Sequence, residues 1–347
     1  MRSDVTPLRS PPPSAQRDEK TSRGTRPAPE PVTRGDALRQ VGQILAPHFK
    51  PLSSPKKRLF DEPEFDSTPG ILYQHSVLCH TGLPYRNPGD SLRRWHAKNG
   101  FLTLEVDAGR VYDPRVDDFV DVGLPFGSKP RLVLYHLNAE ALRTRSPVIE
   151  LEDSLTAFVR RTLGLDAHGR NIHTVRDQLT RLAASDFRIG RSDAEHSITV
   201  HGRILQGVTL WTRQEATTRL LWPTQVQFSA DYFDSLTRHA VPLNETAVAR
   251  LSHNAMALDA YVWLAQRLHR IEAGKHALVS WTALSQQFGN GYGQVRGFRR
   301  VFKRTLAQVK VVYPDANIEM TPEGIRLKHS RPPIARRLLP VSTLEGK

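Results

Sequence analysis

The chain has 347 residues, 39% hydrophobic and 24% charged, enough for more than one domain with a sizeable core. Lys and Arg number 49 against 35 for Asp and Glu, a formal net charge of +14 with a pI near 10.2, which points to a polyanion and to nucleic acid first. Cys79 is the single cysteine, which excludes a disulfide framework and fits a reducing cytoplasm, while no apolar run nears the roughly 18 residues of a membrane span and the N-terminus lacks the apolar stretch of a signal peptide.

Residues 1–55 are rich in Pro, Ser, Arg and Glu, as in LRSPPPSAQRDEK and TRPAPEPVTRG. This composition predicts a disordered basic arm. Within it, DALRQVGQIL at 36–45 has the pattern of a short helix, and SPKKR at 54–58 is a small basic cluster that reads as a solvated linker. An N-terminal extension follows at 56–118. Its segment FLTLEVDAGRVYD alternates apolar and polar residues around a glycine and predicts a hairpin. His75, Cys79 and His80 lie close together, but no second ligand pair with zinc spacing follows and a structural zinc needs four ligands. They read as a packed thiol and two polar or capping histidines.

At 119–241 the pattern becomes that of three helices and strands. Ser128 is a candidate N-cap with Pro130 early in a helix that carries Leu132, Tyr135 and Leu142. IELEDSLTAFVRRTLGL offers Asp153 or Ser154 as the next cap and Gly164 as the stop. NIHTVRDQLTRLAAS places Ile172, Val175, Leu179 and Leu182 at helical spacing, with Arg176 and Arg181 outside. The period then shifts toward two in DFRIGR and SITVHGRILQGVTLW, which predicts a hairpin. TQVQFSADYFDSLTRHA reads as a strand running into a helix, and Pro242 marks a boundary.

The order repeats at 242–330. AVARLSHNAMALDAYVWLAQRLHRI predicts one long helix, Ser280–Phe288 a short one, and QVRGFRRVFKRTLAQVK at 294–310 a basic amphipathic one. In the last, Val295, Phe298, Phe302, Leu306 and Val309 share a face, while Arg296, Arg299, Arg300, Lys303 and Arg304 share another with no Asp or Glu among them. Two strands around Pro322–Gly324 close the unit, and 331–347 is a loose basic tail. The fold predicted is α+β: two tandem winged-helix domains, each a helix-turn-helix plus a β-hairpin wing, at 119–241 and 242–330. Arginines on a helix in the major groove can both hold phosphates and read guanine. The DNA-contact candidates are therefore Arg296, Arg299, Arg300, Lys303 and Arg304, then Arg176 and Arg181 with Thr174. Lys129 and Arg131 are candidate phosphate contacts at a helix start. GNGYG at 289–293 reads as the turn between two helices rather than a phosphate cradle.

No GxxxxGK[ST] loop, HExxH or nicking-type histidine pair is present, so the residues predict no enzyme, no cofactor and no metal. LPFGSKPRLVLYHLNAEALRTRSPVIELEDSLTAFVRRTLGL and TVRDQLTRLAAS, with SVLCHTGLPYRNP and KNGFLTLEVDAG upstream, resemble the RepA-type plasmid replication initiators of Gram-negative bacteria. The resemblance runs from about Ile71 to Lys328. It implies binding to repeated origin DNA (iterons), local duplex opening, and recruitment of the host replicative helicase and initiator proteins. In such relatives dimers often repress their own gene while monomers initiate, so a homodimer is implied as one form and plasmid copy control as one role. The competing readings are a plain transcriptional regulator with the same two binding units and a DNA-processing enzyme without a legible active site.

Overall fold

The computed structural model describes residues 70–100, 102–113, 116–192, 197–210 and 223–334. The expected basic arm, the 36–45 helix, SPKKR and the far tail lie outside these residues. β1 (Ile71–His75) leads into a 3₁₀ turn, Ser76–Cys79, whose N-cap is His75: its ring accepts from the Val77 N–H. The capping role read for this histidine holds. β2 (Arg94–Asn99) and β3 (Leu102–Asp107) pair as a hairpin, and β4 (Arg110–Asp113) pairs with β5 (Asp118–Asp121). The hairpin expected across FLTLEVDAGRVYD is therefore wrong, because its two halves join different partners. Gly109 is a packing glycine instead. A Cβ there would sit 1.9 Å from the Ala184 carbonyl oxygen.

α1 (Ser128–Thr144) starts after Gly127, which makes no side-chain cap, so Ser128 is the first helical residue rather than the cap. β6 (Val148–Glu150) follows. Ser154 caps the short α2 (Leu155–Ala157) by accepting from the Ala157 N–H, and the chain then widens into a π-helical turn at Phe158–Thr162. Gly164, at φ +61°, turns it toward α3 (Gly169–Ala184). β7 (Asp186–Ser192) and β8 (Ser197–Gly202) pair with each other and continue the first hairpin as a sheet of order β2-β3-β7-β8. β9 (Leu205–Leu210) and β10 (Pro223–Phe228) form a separate sheet, β6-β10-β9. The strands expected as one hairpin thus serve two sheets.

α4 (Ala230–His239) leads directly into β11 (Ala240–Asn244), which pairs with β1; Pro242 lies inside it, opposite Tyr73. The expected long helix is broken into α5 (Glu245–Leu251) and α6 (Ala255–Arg267). Asn254 breaks it, since its side chain accepts from the Ala257 N–H and donates to Gln308 of a later helix. β12 (His276–Ser280), α7 (Trp281–Phe288), α8 (Val295–Val312), β13 (Ile318–Met320) and β14 (Gly324–Lys328) complete the chain, with sheet order β12-β14-β13. The strand β12 escaped the sequence pattern.

The core centres on α6. Every residue from Ala255 to Gln266 is buried, so this helix is enclosed on all sides. Its one carboxylate, Asp259, meets Arg131 of α1 in a bidentate pair, Nε–Oδ1 and Nη2–Oδ2 both 2.7 Å. Arg131 also donates to the carbonyls of Leu83 and Gly127, at 2.7 and 2.6 Å. Burial opposes its charge, but the Asp259 carboxylate more than offsets this and holds its pKa above the ordinary value. Gly82 leaves room for the pair, since a Cβ there would lie 2.3 Å from Asp259 Oδ2. Arg131→Met should destabilise the fold by about 3–5 kcal/mol in urea unfolding, by stranding a buried carboxylate, and adding Asp259→Leu should recover much of that loss.

Three further histidines are held neutral. Burial lowers His75 to about 3 and His80 and His136 to about 4, from 6.5. Each binds a proton more readily in the unfolded chain, so the stability it contributes is full above pH 6.5 and is lost as pH falls toward these values. Unfolding free energy should drop steeply between pH 6.5 and 4. His136→Gln should flatten that slope by about 1.4 kcal/mol per pH unit, the equivalent of one proton, in pH-dependent denaturant titrations.

Candidate nucleic-acid interface

α8 is helical because nothing in it resists: no proline, one glycine, and an apolar stripe at spacings of three and four. Phe298, Phe302, Leu306 and Val309 are fully buried. Phe302 stacks between Phe298 and Phe288, with ring centroids 5.1 and 4.9 Å apart, and Phe288 meets Trp263 of α6 edge-on. This aromatic column fixes which side of α8 faces outward. Val295, expected on the buried stripe, is instead exposed at the first turn.

The outward cations divide into two rows. Arg296, Arg300 and Arg304 are exposed and spaced by four, so they form one ridge along the helix. Arg299 and Lys303 are half-buried and lie over the Trp281 ring, at 4.7 and 5.8 Å from its centroid. Trp281 is itself anchored, its indole N–H donating to the Thr321 carbonyl and its backbone N–H to that of Glu323. The β13–β14 turn is thereby tied to α7 and to the second row of cations. On this sheet Arg326 and Lys328 are paired with Glu319 at 3.1 and 3.3 Å. Among the described residues, the ridge on α8 has no carboxylate partner.

The candidates at 119–241 fare differently. Arg131 is 2% exposed and closed into its pair with Asp259, so it is no phosphate contact. The sequence marked it as a cation near a helix start and could not show a carboxylate 128 positions away. Arg181 is also turned inward. It pairs with Asp177 at 2.9 Å and Asp90 at 3.4 Å, and lies over the Phe126 ring. The spacing of four between Asp177 and Arg181 was the available signal for that pairing. Thr174 directs its hydroxyl to the Arg170 carbonyl at 2.8 Å. Arg176 is half-exposed, and Lys129 is half-buried, with burial lowering its pKa.

Three basic side chains that the sequence reading passed over are exposed in the same region: Arg160 on the π turn, and Arg170 and His173 on α3. Arg170, His173 and Arg176 recur every three residues, a spacing that would have identified this face before Arg181. Arg161 is exposed beside them but reaches Glu152 at 3.6 Å.

Among the described residues, no cluster of three or more His, Cys, Asp or Glu could hold a metal ion, and no helix is long and apolar enough to cross a membrane. His75 and Cys79 are built into the core instead. The His75 ring reaches Ser235 Oγ at 2.9 Å, and burial raises the Cys79 thiol far above its ordinary pKa.

Residues 124–283 match the family of plasmid-encoded RepA proteins. The RepA-type segment runs from the loop before α1 to the first turn of α7, and α8 lies beyond it. No curated protein matches the chain. Two crystal structures of RctB domains 2 and 3 resemble it in overall course, each at 11% identity. One has a TM-score of 0.46 and covers 74% of this chain and 96% of its own; the other scores 0.43 and covers 72% and 94%.

Arg181→Ala should cost roughly 1–3 kcal/mol of stability in a denaturation experiment, because it leaves the part-buried Asp177 carboxylate and the Leu124 carbonyl without their donor. Arg170→Ala, an exposed position, should stay within about 0.5 kcal/mol of the parent in the same denaturation experiment.

Proposed function

We propose that this chain is a non-enzymatic plasmid replication initiator that binds repeated origin DNA through two winged-helix units. The observation that carries the reading is the exposed ridge Arg296, Arg300 and Arg304 on an acid-free helix whose other face is locked into the core. Two further features support it. The order α1, β6, α2, α3, β9, β10 resembles the order α6, β12, α7, α8, β13, β14, and in both the last strand lies between the other two, as β6-β10-β9 and β12-β14-β13. A helix-turn-helix followed by a two-stranded wing has this layout. The match of residues 124–283 to plasmid-encoded RepA proteins supports a plasmid setting, and a cytoplasmic location belongs to the same proposal.

In this reading α8 enters a major groove. The outer ridge contacts phosphates and base edges, while Arg299 and Lys303 are held on Trp281 at the side of the groove. α3 offers the counterpart face through Arg170, His173 and Arg176. Two such faces on one chain would meet two successive grooves of a single repeat. Duplex opening, recruitment of the host helicase and initiator proteins, and autorepression by a homodimer complete the proposal on the family resemblance.

The test is affinity for DNA flanking the gene, measured against salt. Arg296→Ala, Arg300→Ala and Arg304→Ala together should weaken binding at least tenfold and reduce the slope of log K on log salt by about 2–3, near 0.9 per lost phosphate contact. Unchanged affinity and slope in a folded variant would remove α8 from the interface. Footprinting of the parent should give regularly phased protection over direct repeats, and a plasmid carrying the gene and those repeats should replicate. Phased binding without replication would favour the transcriptional regulator.

A further inference from the structure

A cavity of about 340 Å³ opens between the β2-β3-β7-β8 sheet, the 3₁₀ turn and the start of α4. Its volume lies within the range of small-molecule sites. The lining is mostly apolar, from Val77, Leu78, Leu104, Phe187, Ile189 and Ile204. Tyr232 adds an aromatic wall, stacked on His75 at 5.5 Å and edge-on to Phe228 at 4.9 Å. DNA contact gives this half-open, mostly apolar space no role.

The charges around it have a definite sign. His75 supplies none: Nδ1 accepts from the Val77 N–H, which leaves Nε2–H to donate to Ser235 Oγ. Arg203 is paired with Asp186 at 2.9 Å. The remaining charge on the lining is the Asp231 carboxylate in the first turn of α4. The start of α4 would otherwise favour an anion, but Ser229 already caps it by accepting from the Tyr232 N–H at 3.3 Å, and Asp231 complements its dipole. An aromatic wall beside a carboxylate with no cationic side chain paired to it suits an organic cation.

We propose that this cavity binds a small organic cation, its aromatic or aliphatic body among Leu104, Phe187 and Tyr232 and its ammonium group beside Asp231. The site is independent of the DNA reading and is tested without DNA.

The experiment is calorimetric titration of the full chain with tryptamine, and with indolepropionate as the carboxylate of similar shape. Tryptamine should bind saturably, and indolepropionate at least about tenfold more weakly. Ala230→Phe, which fills the mouth of the cavity from an exposed position, should abolish tryptamine binding. Asp231→Asn, which removes the charge from the lining at almost unchanged size, should weaken it about tenfold. No saturable binding of tryptamine, equal binding of the carboxylate, or parental affinity in either variant would overturn the proposal.

Discussion

Arg131 and Asp259 come from helices 128 positions apart in the chain, and their pair is the contact on which the two helical regions depend. An isolated charge at this depth would cost several kcal/mol. Here each guanidinium edge is used: Asp259 takes Nε and one Nη2 hydrogen, and Leu83 and Gly127 take others through their carbonyls. The result is positional rather than simply stabilising. It sets α1 against α6, and it draws in the segment around Gly82, where a side chain would collide with Asp259. Replacing the pair with well-packed apolar groups could preserve stability but would lose this directional register.

The rest of the architecture follows from that register. α6 is buried all round, so its position determines what its neighbours can expose. α8 packs against it, with Thr305 Oγ1 on Met256 Sδ and Phe302 reaching Trp263 through Phe288, which turns Arg296, Arg300 and Arg304 outward. The N-terminal strands take part in the same body. β1 pairs with β11, and the Gln287 side chain of α7 donates to the His80 carbonyl at 3.0 Å. An initiator built this way would present its two basic faces from a shared core rather than from two beads on a linker.

The sequence made the local pieces legible and the long-range ones opaque. α8 could be read from Phe298, Phe302, Leu306 and Val309, because burial on one face of a helix writes a period into the chain. Ser154 and Gly164 were legible because caps and stops are local chemistry. The partner of β3 was not, since alternation identifies a strand without naming its neighbour. Asn254 was hidden within an otherwise continuous apolar pattern, and its capping bond ends one helix and starts another. The same limit governed the arginines. A cation on a helix looks the same in sequence whether it faces solvent, as Arg170 does, or a buried carboxylate, as Arg131 does.

That difference changes what the basic composition means. A net charge of +14 suggests a surface that attracts DNA everywhere, yet many arginines are already committed. Arg93, Arg94 and Arg188 neutralise Asp107, Asp121 and Glu105 on the N-terminal sheet and hairpin, and Arg203 neutralises Asp186. Among the described residues, α8 and the exposed side of α3 each carry several cations along one helical face that no carboxylate neutralises. On α8 the charge is further divided, because Trp281 holds Arg299 and Lys303 against the fold while the ridge beside them stays free. A guanidinium held over an indole loses less side-chain freedom when a phosphate arrives than one that is free in solvent. In the proposed DNA-bound state the two rows would therefore differ: the stacked pair would be ordered in advance at the side of the groove, while the free ridge would adapt to the phosphates and base edges it meets.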